Sequence, residues 1–103
     1  MMIETVHSYS ITDEKSIEKI IRSEYVNINH VVLGNGDALP IHKANSHANL
    51  IVIRGAVTVA FDDQEPRAYP AGSIVSVPYG TQMNVSNQGD EVLEFFIVKA
   101  PGP

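Results

Sequence analysis

The residue best placed to do chemistry is His42, at the head of the segment His42-Lys43-Ala44-Asn45-Ser46-His47. A neutral imidazole can ligate a metal, act as a general base near neutral pH, or hydrogen-bond a bound molecule. A divalent metal usually needs at least three protein ligands, so His42 would need partners. His47 is the nearest, but it lies an odd number of residues further on. In a regular strand that spacing puts the two side chains on opposite faces, unless the Asn45-Ser46 turn breaks the alternation. Met83 carries a thioether suited to soft Cu(I), although a methionine on an apolar strand face is ordinarily packing. His30 could face inward beside such a site, but Ile28 and Val32 share its parity and suggest an ordinary packed face, and His7 lies away from all of these residues. The chain has no cysteine, which excludes disulfides, thiolate chemistry and cysteine-based zinc or iron–sulfur sites. No carboxylate pair and no nucleophile beside a base stands out. Gly34-Asn35-Gly36 joins two strands, whereas a dinucleotide fingerprint leads from strand to helix.

The elements that must position these residues are mostly short β-branched runs separated by turn residues, the pattern of an antiparallel sandwich or barrel. The runs span 25–33, 38–43, 49–53, 56–61, 67–69, 73–77, 82–86 and 91–99. Turn chemistry divides them at Gly34 to Asp37, Gly55, Asp62 to Pro66, Pro70 to Gly72, Pro78 to Gly80 and Asn87 to Asp90. One helix is expected, over 12–23. Thr12 would cap it, Asp13 and Glu14 would occupy its first turn, Ile17, Ile20 and Ile21 would form its apolar stripe, and Glu18 would pair with Arg22. The run Val92 to Val98 is apolar at both parities, so its outer face needs a cover, either that helix or a second subunit. The expected organisation is one domain over 1–103, with an amino-terminal extension at 1–24 and a barrel at 25–99.

The turn residues carry a resemblance. Gly36, His42 and Gly55 fall in step with the first motif of the cupin superfamily, and Gly72, Pro78, Gly80 and Asn87 fall in step with the second. The chain is identified on these motifs as a small single-domain cupin, and the resemblance covers roughly residues 25–99. It implies an all-β double-stranded β-helix, the jelly-roll barrel of that superfamily. It also implies that the metal ligands would stand at His42, Ala44, Ala48 and Met83, where the superfamily places histidines and a glutamate. Only His42 keeps a ligand. Ala44, Ala48 and Met83 would instead enlarge the cavity and make its wall apolar, so these four residues are the expected ligand pocket. Gln82 and Tyr79 lie close to the second motif and could hydrogen-bond a bound molecule.

Composition narrows the partners. Twelve Asp and Glu outweigh seven Lys and Arg for a net charge of −5, and no basic cluster is interleaved with aromatics, which argues against nucleic acid. No export signal or membrane-length apolar run is present, so a cytoplasmic protein is expected. The expected function is binding of a small organic ligand by a homodimer, with no cofactor assigned. One alternative is a metal-dependent enzyme of the dioxygenase or isomerase type, using His42 with a substitute ligand such as His47. Another is a metal-free enzyme resembling the sugar epimerases, with His42 as base.

Overall fold

A computed structural model describes residues 1–103. Nine strands are present: β1 (Ser16–Arg22), β2 (Asn27–Leu33), β3 (His42–Lys43), β4 (His47–Arg54), β5 (Ala56–Phe61), β6 (Arg67–Pro70), β7 (Ile74–Val77), β8 (Gln82–Ser86) and β9 (Leu93–Ala100). They form a five-stranded sheet ordered β1-β2-β9-β4-β7 and a four-stranded sheet ordered β3-β8-β5-β6, and every pairing is antiparallel. Alternation decides which side chains meet between the sheets. Val31 and Leu33 of β2, Leu93, Phe95 and Ile97 of β9, and Leu50 and Val52 of β4 join Val57, Val59, Met83 and Val85 of the second sheet in one buried cluster. The odd-numbered residues of β2 and β9 therefore face inward, and the even-numbered ones face out.

The expected helix over 12–23 does not form. Residues Ser16–Arg22 are β1, paired with β2 from Ser16 opposite Val32 to Arg22 opposite Asn27, with a bulge between Lys19 and Ile21. Thr12 does make a local capping-type bond, accepting the Glu14 backbone N–H at 3.1 Å, but the hydrogen bond closes only a turn. Three isoleucines suit a pleated surface, a helix of this length is marginal without tertiary support, and the free edge of β2 supplies a competing partner for every second backbone group. Glu18 accordingly turns to His30 on β2 and does not meet Arg22.

The corners are held where the turn residues stood in sequence. Gly36, Gly55, Gly72 and Gly80 all adopt positive φ. Gly55 is the most constrained, because a Cβ there would collide with the Val92 carbonyl as well as strain the backbone. Asn87 is fully buried; its amide NH2 donates to the carbonyls of Leu33 at 2.9 Å and Glu91 at 2.8 Å, and its Oδ1 accepts from the Gly89 N–H at 3.0 Å. It ties β2, the end of β8 and the approach to β9 into one corner.

Candidate functional site

The second-motif turn pins the first motif from both sides. The Gly80 N–H donates to the Ala44 carbonyl and the Ala44 N–H to the Thr81 carbonyl, each at 2.8 Å. Ala44, Ala48 and Met83 are buried at 3%, 1% and 2% exposure, and all three belong to the core cluster. His42 stands opposite Met83 in the β3–β8 register, so the two share a face of that sheet, but His42 is exposed at its end. The His42 Nδ1 lies 2.9 Å from the Pro40 carbonyl. A carbonyl only accepts, so Nδ1 carries the proton and, in the neutral ring, Nε2 keeps its lone pair. His47 alternates with buried Ala48 along β4 and is therefore on the opposite face; it lines a cavity of about 320 Å³ with Ala48, Asn49, Ser76, Val77 and Pro78. Tyr79 and Gln82 are both exposed.

The donor set does not fit the metal that the fold family commonly holds. No three His, Asp or Glu side chains are arranged so that they could hold a metal ion, and at the four motif positions only His42 offers a donor of the usual kind. A tightly held first-row metal needs more than one imidazole.

The densest group of titratable side chains lies elsewhere, on the outer face of the five-stranded sheet, and sequence reasoning missed it. His30 is fully buried, with Nδ1 2.8 Å from Glu18 Oε1 and Nε2 2.6 Å from Glu94 Oε2. The Ser10 backbone N–H, donating at 3.0 Å, is the main influence holding the Glu18 carboxyl below its ordinary range, with His30 adding to it. Burial would raise the Glu94 carboxyl, but hydrogen bonds from His30 and Arg54 outweigh it and the net shift is downward. Arg54 donates from Nε to Glu94 at 2.8 Å, from one terminal nitrogen to Asp13 at 2.6 Å, and from the other to the Thr12 carbonyl at 2.8 Å. Tyr9 lies over the group, its ring centroid 4.5 Å from that of His30 and 5.0 Å from that of Phe96 in an edge contact. The cover for the outer face of β9 is thus an extended amino-terminal segment rather than a helix. The carboxylates bracket the ring from opposite sides and share no common point for a metal. One signal in the sequence could have exposed this cluster: Glu94 is the single charge inside the apolar run from Val92 to Val98.

Two facing antiparallel sheets cornered by the Gly, Pro and Asn residues of both motifs make this chain a cupin, and similarity to known proteins agrees. No family model matches the chain. It is 44% identical over 103 residues to an uncharacterised protein of Methanocaldococcus jannaschii, spanning 99% of this chain and 89% of that relative. The chain belongs to the cupin superfamily. The crystal structure of a Methanocaldococcus jannaschii protein, described as RmlC-like cupin family with a double-stranded β-helix fold, aligns with a TM-score of 0.97 and 43% identity, over 100% of this chain and 95% of its own. A double-stranded β-helix protein of Klebsiella pneumoniae aligns at TM-score 0.78 and 19% identity, over 91% of this chain and 83% of its own, and shares the fold.

Proposed function

We propose that this cupin domain binds a small organic molecule at the end of the barrel bounded by His42, Ala44, Ala48 and Met83, without a tightly held metal. The observation that carries this reading is the contrast between an intact frame and vacated ligand positions. Gly36, Gly55, Gly72, Gly80 and Asn87 keep their corner geometry, while three of the four ligand positions hold two alanines and a methionine packed into the core. An apolar wall with one orienting imidazole is suited to holding an organic molecule. The methyl groups of Ala44, Ala48 and Met83 are the natural reporters. A screen of small organic molecules followed by methyl NMR is expected to find at least one that moves all three resonances saturably. A screen in which no molecule does so would count against the site.

A second reading, a metal-dependent enzyme, is favoured by one detail. The His42 bond to Pro40 is the kind that orients a metal-ligating imidazole, because it fixes the tautomer and leaves Nε2 free. It predicts turnover that depends on added divalent metal and is lost in His42→Ala. We also expect the domain to pair with a second copy, since Ile53 and Ile74 on the five-stranded sheet and Met1 and Ile3 of the amino-terminal segment are exposed.

A further inference from the structure

Three of the chain's seven basic residues gather on one face at one end of the five-stranded sheet. Lys99 stands opposite Asn27 on β2, and Asn27 stands opposite Arg22 on β1, so the three side chains share a face. Lys19 belongs to the neighbouring row, opposite Asn29, which in turn faces Ile97. Ile97 is in the barrel core, so this is the inward parity of the sheet. On its other side Lys99 pairs with Ala48 of β4.

None of the three cations has a carboxylate within ion-pair distance; every ion pair in the chain uses His30 or Arg54. Glu18, next to Lys19 in the chain, is on the opposite face with His30, and Glu24 lines with Arg22, Ser23, Asn27, Gly102 and Pro103 a cavity of about 360 Å³. Asn27 Oδ1 accepts the Ser23 N–H at 3.2 Å, which leaves the Asn27 NH2 group as a donor. Burial, and then the charges of Arg22 and Lys19, lower the pKa of Lys99. Like charges collected in a chain of net charge −5 repel one another unless an anion sits among them. The position of Ala48 gives the arrangement a direction. Where the cupin motif has a glutamate directed at a cation, this chain has a methyl group beside a lysine, so the charge preference of that end of the barrel is reversed.

We propose that Lys99, with Lys19 and Arg22, binds the anionic oxygens of a carboxylate or phosphate group carried by the small molecule. This rests on the small-molecule reading above and adds the chemical class of its ligand. The ammonium and guanidinium groups supply charge-assisted hydrogen bonds, Arg22 with a planar fork suited to two oxygens. The neutral part of the ligand extends past Ala48 toward the apolar wall.

The test is an amide NMR titration of the full chain with inorganic phosphate and, separately, with succinate, at constant ionic strength. Saturable shifts at Asn27, Ala48 and Lys99 with either anion are expected, and the anion that saturates at lower concentration identifies the preferred group. Lys99→Met should weaken that binding by roughly tenfold, the loss of one charge-assisted hydrogen bond, while Lys15→Met should leave it unchanged. In the wild-type protein the saturating anion should also raise the pH at which the Lys99 side chain titrates, a readout independent of any variant. Non-saturating shifts with both anions, or equal affinity in Lys99→Met, would overturn the inference. Benzyl alcohol separates its failure from that of the underlying site. Saturable methyl shifts at Ala44, Ala48 and Met83 with this neutral probe, but none with the anions, would remove only the anion; no saturable shift with any of the probes would remove both.

Discussion

The two faces of strands β1, β2 and β9 treat charge in opposite ways. On the outer face, His30 and Arg54 have carboxylates on every side, and Tyr9 and Ser10 close over them. At the end of the inward face, Lys19, Arg22 and Lys99 have no partner, and Lys99 lies beside a methyl group where the cupin motif has an acid. The side chains of this network are engaged with one another, and its bonds from Glu18, Asp13 and Thr12 to His30 and Arg54 fasten β1 and the amino-terminal segment to the barrel. An unpaired group of cations at an open end is unfinished without a ligand.

The largest effect that sharpens this contrast is expected from His30→Ala. Removing the fully buried ring takes away the hydrogen-bond partner shared by Glu18 and Glu94 and leaves a cavity beside Tyr9 and Phe96, and loss of a buried ring of this size destabilises by about 3 kcal/mol. Urea unfolding measures it, and a variant as stable as wild type would show that the network does not hold the segment. Arg54→Ala should cause a smaller loss, a drop in Tm of roughly a few degrees, because its guanidinium is partly exposed and screened.

Acid should act through the same face. The Glu18 and Glu94 pKa values are lowered in the folded state from the ordinary 4.5, so the unfolded chain binds more protons as pH falls below about 5. Their stabilisation is fully present above that range and disappears as pH drops through the folded values. Thermal melts should show this slope in wild type and a shallower one in His30→Ala. The smallest effect is expected at the other face. Lys99→Met should change stability by about 0.5 kcal/mol or less, and in the stabilising direction, because it relieves repulsion from Arg22 and Lys19. The lowered Lys99 pKa has its own sign: wild-type stability rises as pH climbs through the folded value toward 10.5, and the variant should lack that rise. Marked destabilisation by Lys99→Met would mean that the cation is a structural element after all.

What could be read from the sequence divides along the same physical lines. Turn residues act locally, so Gly36, Gly55, Gly72, Gly80 and Asn87 announced the corners and with them the barrel, and Ala44, Ala48 and Met83 could be assigned to its interior from their motif positions. The segment from Ser16 to Arg22 misled because Ile17, Ile20 and Ile21 satisfy a helical stripe, while the deciding factor, the open edge of β2, is remote in sequence. His30 looked like part of an ordinary packed face because its partners come from positions 18 and 94, and only the register brings them together. Lys99 was hidden for a similar reason: Ala48 on the adjoining β4, and Arg22 on β1 across β2, come into its row only in the folded sheet.

The measurement that tests the central claim most directly is the metal content of untagged protein, purified without chelator, offered manganese, iron, nickel, copper and zinc in turn, and desalted, beside His42→Ala treated identically. A site with vacated ligand positions should retain far less than one ion per chain, with no difference between the two proteins. Near-stoichiometric metal that disappears in His42→Ala would contradict it, because His42 would then have recruited ligands from outside the four motif positions.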